Sequence, residues 1–141
     1  MLVVDDEHGI RDVVAAMLGA EGYAVLTAAN GRDGLALLDG SLPHVIVLDL
    51  MMPIMDGFAF RAQQLLSPWL ARIPVIVVSA EYDIETAVRT LRPQAWLRKP
   101  FDLEVLLAVD GAALQMAAHG VGLSAREAGL LQMAAPGESL I

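Results

Sequence analysis

The sequence predicts an α/β protein built on a doubly wound, five-stranded parallel sheet. Short aliphatic runs, such as "VIVL" at 45–48 and "VIVV" at 75–78, alternate with longer amphipathic segments, which is the pattern of successive βαβ units. These runs are almost wholly apolar, as expected of parallel strands that helices cover on both faces. We therefore expect an open sheet with the strand order 2-1-3-4-5.

The alternation places five strands and five helices along the chain. The predicted strands are Leu2 to Val4, Tyr23 to Ala28, His44 to Leu48, Ile73 to Val78 and Gln94 to Leu97. The predicted helices cover residues 7–20, 31–39, 56–66, 83–91 and 102–118. Turn pairs such as Asn30-Gly31 and Asp56-Gly57 stand where a helix begins. Each crossover is long enough for one helix, so every strand pair can be parallel.

Composition limits the class of protein. The 141 residues suit one domain, and 56% of them are apolar against 18% charged, which predicts an aliphatic core and not disorder. No apolar run approaches the roughly 20 residues that cross a bilayer. The sequence has no cysteine and no pattern of a signal peptide, so we expect a soluble, cytoplasmic protein without thiol chemistry. A net charge of -8 disfavours direct binding to nucleic acid or anionic lipid.

Polar residues follow four of the predicted strands, at the sheet edge where such folds bind ligands. Asp5, Asp6 and Glu7 follow strand 1, Asp49 follows strand 3, Ser79 follows strand 4 and Lys99 follows strand 5. Carboxylates brought together in this way repel one another unless a cation lies among them. Their hard oxygen atoms suit Mg²⁺, which proteins usually hold through one or two carboxylates and a phosphate oxygen.

A phosphate ligand would give the remaining polar residues a role. Lys99 offers a point charge to one phosphate oxygen, and Ser79 offers a hydroxyl donor to another. One carboxylate can itself act as the nucleophile and form an aspartyl-phosphate. Asp49, at the end of the central strand, is the most centrally placed candidate.

Four stretches follow one another along the chain: "LVVDDE" at 2–7, "VIVLDLMMPIMDG" at 45–57, "IPVIVVSA" at 73–80 and "LRKPF" at 97–101. In this order and at these separations they resemble the receiver domain of bacterial two-component response regulators. The resemblance covers residues 1–118 and implies the flavodoxin-like receiver fold. It also implies that Asp49 accepts a phosphoryl group from a sensor histidine kinase or a phosphotransfer protein, so that the chain is a phosphoacceptor switch and not an enzyme that turns over a substrate.

The same resemblance implies a set of ligands for Mg²⁺. Asp6, Asp49 and the backbone carbonyl of Met51 would ligate the ion directly, and Asp5 would act largely through water. Met51 and Glu81 occupy the two positions that flank the attacking water in the family. Because a methionine side chain does not orient water by hydrogen bonding, the lifetime of the phosphoryl group stays open.

A switch is implied as well. Lys99 would pair with the phosphoryl group next to a cis Lys99-Pro100 bond, and Ser79 would follow a phosphoryl oxygen inward. Trp96, where the family more often has Tyr or Phe, would then change rotamer. The face formed by helix 4, strand 5 and helix 5 would be reshaped, and receivers commonly use that face to form homodimers or to bind an output partner.

Residues 119–141 are assigned to a linker and a C-terminal helix outside the receiver. The stretch 123–141 resembles the opening of a LuxR-type helix-turn-helix at Leu123, Ser124, Arg126, Glu127, Leu131, Ala135, Gly137 and Ser139. A winged-helix output domain shares part of this pattern, and a helical extension that serves dimer contacts is the third alternative. The recognition helix is missing in each case, so we expect no DNA binding by the chain as given.

Two other functions remain open from the sequence. A small phosphatase with an aspartate nucleophile also uses carboxylates, Mg²⁺, a hydroxyl and a lysine at strand ends. Such enzymes separate their two acids by one residue after strand 1, whereas Asp5 and Asp6 are adjacent and Asp49 follows strand 3. The second alternative is a receiver that works only as a docking surface without phosphorylation, which the filled site positions disfavour.

Overall fold

The computed structural model describes residues 1–80, 84–100 and 104–108. Several predictions lie outside these residues. They concern Glu81, most of the fifth predicted helix, the receiver boundary at residue 118 and the helix-turn-helix resemblance in 119–141.

The described residues form a parallel sheet with helices between the strands. The strands are β1 (Leu2–Val4), β2 (Leu26–Ala28), β3 (Ile46–Asp49), β4 (Val75–Ser79) and β5 (Ala95–Arg98). The α-helices are α1 (His8–Ala20), α2 (Gly31–Leu38), α3 (Gly57–Leu66) and α4 (Ile84–Leu91), with a 3-10 turn at Leu70–Arg72 and further helical residues at 104–108. The order β2-β1-β3-β4-β5, with every neighbouring pair parallel, confirms the predicted fold class. Within the described part of the chain, no helix is long and apolar enough to span a membrane.

Three strands are shorter than the sequence predicts. β2 begins at Leu26 instead of Tyr23, β3 begins at Ile46 instead of His44, and β4 begins at Val75 instead of Ile73. β2 and β3 both pair with β1, which has only three residues, so their ladders begin opposite Leu2. β4 in turn begins opposite the first residue of β3. Tyr23 and His44 instead stack on each other with ring centroids 5.7 Å apart.

Apolar residues fill a layer on each face of the sheet. Leu2 and Val4 of β1 pack into the layer that also holds Phe60 of α3 and Ile84 of α4. Val3 packs into the opposite layer, with residues of α1 and of the helical segment 104–108. This alternation follows from the period of two along a strand. It buries the sheet on both faces and leaves its carboxyl edge open for polar residues.

Candidate functional site

The predicted site residues converge at the carboxyl edge of the sheet. Asp49 is the last residue of β3 and Ser79 the last residue of β4, while the acidic turn follows β1 and Lys99 follows β5. A shallow cleft of about 450 Å³ lies between them. It is lined by Asp6, Glu7, Asp49, Met51, Ser79, Ala80 and Lys99.

Three carboxylates form the acidic centre of the cleft. Asp5 and Asp49 are buried and Asp6 is exposed, yet each offers an oxygen atom within 4.8 Å of the other two. Opposite ligands of an octahedral Mg²⁺ lie about 4.2 Å apart, since each is about 2.1 Å from the ion. The three carboxylates therefore fit one hard divalent cation if they move slightly closer together or if one of them binds the ion through water.

Asp5 is held by three groups. Its Oδ1 accepts a hydrogen bond from the Glu7 backbone N–H at 2.9 Å, and its Oδ2 accepts one from Lys99 Nζ at 2.7 Å. Arg11 Nη1 donates to the Asp5 carbonyl oxygen at 2.8 Å. Arg11 was missed by the sequence reasoning, although helical side chains lean toward the helix N-terminus and a residue one turn into α1 can reach back to the acidic turn.

Lys99 is the buried cation of the site. Its side chain is 8% exposed, and Nζ lies 3.7 Å from Glu7 Oε1 and 3.8 Å from Asp49 Oδ2. Burial lowers the pKa of Lys99, but the hydrogen bond that Lys99 donates to Asp5 and the charges of Asp49, Asp5 and Glu7 outweigh burial and hold the pKa above its usual value. Lys99 therefore stays protonated at neutral pH and can pair with an anion in the cleft.

Asp49 has an unusual proton affinity. Burial, followed by the negative charge of Asp5, raises the pKa of Asp49 from 3.8 to about 7, against the opposing charge of Lys99. The Leu50 backbone N–H donates to Asp49 Oδ1 at 2.9 Å, and this hydrogen bond also favours the charged form. Without a metal, Asp49 therefore holds a proton at a higher pH than an ordinary carboxyl does. A cation at the acidic centre would favour the carboxylate that a nucleophile requires.

Backbone contacts fix the loop that follows Asp49. The Gly57 N–H donates to Leu50 O at 3.0 Å, and the Gly31 N–H at the start of α2 donates to Met55 O at 2.9 Å. Asp56 caps α3 by accepting a hydrogen bond from the Ala59 N–H at 2.8 Å. The loop is therefore attached to two helix N-termini, which fixes the direction in which Asp49 faces the cleft.

The other predicted residues differ in their distance from the cleft. Ser79 is fully buried at the cleft, and Met51 is 60% exposed at its rim. Trp96 does not line the cleft: it is half-buried in β5, pairs with Val77 of β4 and packs against the layer that contains α3 and α4. The bond between Lys99 and Pro100 is cis, as the resemblance implies.

Ile54, in the loop after β3, takes a φ of 70°, a conformation that is an outlier for a β-branched residue. Its side chain is 68% exposed, so little buried surface depends on it. We expect Ile54→Gly to raise the free energy of unfolding by up to about 1 kcal/mol, because glycine adopts positive φ without a steric cost. Urea denaturation beside Ile54→Ala measures this, and a glycine variant less stable than the alanine variant would contradict it.

A parallel sheet with this strand order and an acidic cleft at its carboxyl edge defines a receiver-type α/β domain. Residues 1–109 match the family model of the response regulator receiver domain. The chain is 36% identical over 118 residues to regulatory protein AtoC of Escherichia coli, covering 82% of this chain and 25% of that protein. It is also 36% identical over 116 residues to protein PilH of Pseudomonas aeruginosa, covering 81% of this chain and 96% of that protein.

Solved structures agree with this match. The receiver domain of NtrX from Brucella abortus is 34% identical, with a TM-score of 0.73 over 81% of this chain and 97% of that chain. A CheY-like receiver domain protein from Methanospirillum hungatei is 27% identical, with a TM-score of 0.73 over 84% and 95% of the two chains. The chain therefore belongs to the response regulator receiver family. It spans half or less of the length of the first curated relatives that it matches.

Proposed function

We propose that this receiver accepts a phosphoryl group on Asp49 from a sensor histidine kinase or a phosphotransfer protein, in a reaction that depends on Mg²⁺. The observation that carries the proposal is the position of Asp49, whose Oδ2 lies 3.8 Å from Lys99 Nζ and whose carboxylate shares the acidic centre with Asp5 and Asp6. The proposed nucleophile thus lies beside both the acidic centre and the Lys99 ammonium, which supports the proposal.

The transfer step needs few protein groups. An Asp49 carboxylate oxygen attacks the phosphorus of a phosphohistidine, the new P–O bond replaces the P–N bond, and the histidine nitrogen leaves with the bonding electron pair and takes up a proton. Lys99 stays protonated and binds a phosphoryl oxygen, while the Ser79 hydroxyl donates to another. Bound Mg²⁺ would neutralise the carboxylates and the phosphoryl oxygens, with Asp6, Asp49 and the Met51 carbonyl as direct ligands and Asp5 acting through water.

The consequence of phosphorylation is a change of surface and not catalytic turnover. Ser79 ends β4, and movement of its hydroxyl toward the phosphoryl group would displace the connection to α4. We propose that Trp96 responds by changing rotamer and that the face of α4, β5 and the following helix then forms a homodimer or binds an output partner. Residues 119–141 would lead into that output function. In this proposal the chain works in the cytoplasm and does not itself contact DNA.

Intact-mass spectrometry after incubation with acetyl phosphate tests the proposal. We expect one phosphoryl group per chain, formed only with Mg²⁺, absent in Asp49→Asn and retained in Asp12→Asn, whose side chain is 62% exposed on α1. An adduct that survives in Asp49→Asn would contradict the assignment of the nucleophile. No adduct on folded protein would favour a docking-only receiver, and continuous release of phosphate with multiple turnovers would favour a phosphatase.

A further inference from the structure

A buried polar pair lies at the opposite edge of the sheet from the acidic cleft. Arg61 and Gln64, neighbours on one face of α3, are 4% and 0% exposed. Arg61 Nη1 donates to Gln64 Oε1 at 2.8 Å. Neither residue has a role in the phosphoryl chemistry, and burying them requires that their polar atoms be satisfied.

Arg61 binds the carboxyl end of α4. Its Nε donates to Leu91 O at 3.0 Å and its Nη2 donates to Arg92 O at 2.8 Å. The last carbonyls of a helix have no partner within the helix, and their partial negative charge favours a cation. Arg92 takes a φ of 48°, a left-handed conformation that glycine normally provides at this position. Arg61 thus stabilises a helix end whose left-handed residue, Arg92, costs conformational free energy.

Gln64 binds the segment that leads into β4. Its Nε2 donates to Leu70 O at 2.8 Å and to Ile73 O at 3.1 Å. Gln94, just before β5, is tied to the start of β4, because its Oε1 accepts from the Val75 N–H at 2.7 Å and its N–H donates to Val75 O at 3.0 Å. The amino ends of β4 and β5 are therefore joined to α3 and to each other.

The arrangement tolerates little displacement. Among the described residues, the partners of Arg61 are carbonyl and amide oxygens and not carboxylates. Burial lowers the pKa of Arg61 to about 10, so it remains charged at neutral pH. A buried cation that loses its hydrogen-bond acceptors is strongly destabilising. Separating α3 from the end of α4 would therefore be costly.

We propose that Arg61 and Gln64 form a fixed pivot for α4, so that a change at the cleft tilts the helix about its last turn instead of sliding it along α3. This inference rests on the proposed function of Asp49. The first turn of α4 begins at Ile84, close in sequence to Ser79 and Ala80 of the cleft, while its last turn ends at the acceptors of Arg61. One end of the helix is thus near the site, and the other is attached to α3.

Amide hydrogen exchange with and without beryllofluoride and Mg²⁺, a mimic of the phosphoryl group, tests the pivot in the unmodified protein. We expect exchange to change in the first turn of α4, at residues 84–87, and to stay the same at residues 90–92. Equal changes at both ends of α4 would overturn the proposal without any variant.

Two matched variants test the residues themselves. Arg61→Met removes the hydrogen-bond donors and puts an apolar side chain in place of the arginine. Arg89→Met makes the same substitution on the exposed face of α4. We expect the amides of residues 90–92 to exchange about tenfold faster or more in Arg61→Met than in Arg89→Met. In Arg61→Met we also expect beryllofluoride to change the exchange of residues 90–92, which it leaves unchanged in the unmodified protein. Unchanged protection in folded Arg61→Met would overturn the pivot.

The outcomes distinguish this inference from the proposed function. Failure of the protein to take up beryllofluoride or a phosphoryl group would contradict the role of Asp49. The comparison of Arg61→Met with Arg89→Met in the absence of the mimic would still decide whether Arg61 holds the end of α4. If Arg61→Met does not fold, the exchange pattern of the unmodified protein decides whether α4 pivots.

Discussion

The Asp49→Asn variant is expected to be more stable than the unmodified protein by about 4 kcal/mol at pH 9 in metal-free buffer, and nearly equal to it at pH 4. The carboxyl of Asp49 has a pKa of about 7 in the folded state against 3.8 for the ordinary group. Between these two values the folded protein keeps a proton that the unfolded chain has released. The contribution of Asp49 to stability is therefore fully present below pH 3.8 and is lost as the pH rises through 7.

Urea denaturation of both proteins across this pH range measures the effect. Asp39→Asn is the matched control, because it removes an exposed carboxylate that has no charged partner among the described residues. Mg²⁺ is expected to reduce the advantage of Asp49→Asn at pH 9, since a cation that binds the carboxylates stabilises the folded state by mass action. A difference between Asp49→Asn and the unmodified protein that is constant with pH would contradict the raised pKa.

Replacing Gly57 by alanine is expected to lower the free energy of unfolding by about 3 kcal/mol or more. A Cβ atom at this position would overlap the Asp49 carbonyl oxygen and lie 2.8 Å from Leu50 Cα. Both are backbone atoms of the strand end that carries the proposed phosphoacceptor, so a side-chain rotation cannot relieve the overlap. Either α3 or Asp49 must move, and the acidic centre is expected to lose affinity for Mg²⁺.

Gly9→Ala is the matched control for this substitution. A Cβ at Gly9, in the first turn of α1, meets no atom within 4 Å, and alanine favours the helix by up to about 1 kcal/mol. Urea denaturation of both variants, with Mg²⁺ binding followed by isothermal calorimetry, separates a steric effect from a general cost of adding a methyl group. A Gly57→Ala protein as stable as Gly9→Ala would contradict the close approach of α3 to β3.

The strand order and the cleft were predictable because both depend on patterns that the chain carries locally. Apolar runs at 45–48 and 75–78 mark central strands, and parallel strands must bring the residues that follow them to one edge. The predicted convergence of Asp5, Asp6, Asp49, Ser79 and Lys99 needs no further information. The predicted lengths of β2, β3 and β4 were wrong, because the extent of a strand in the ladder depends on its partner strand as well as on its own residues.

The sequence by itself determined the fold class and the identity of the residues in the cleft, since the periodicity of apolar residues and the positions of strand ends are properties of the chain. Only the tertiary structure decided the raised pKa of Asp49, which results from burial and from the charge of Asp5 after β1, against the opposing charge of Lys99 after β5. It also decided the role of Arg61, whose acceptor Leu91 O is 30 residues away in sequence. The sequence around Arg61 does not indicate that this side chain is buried, because the carbonyl groups that accept its hydrogen bonds come from the end of α4.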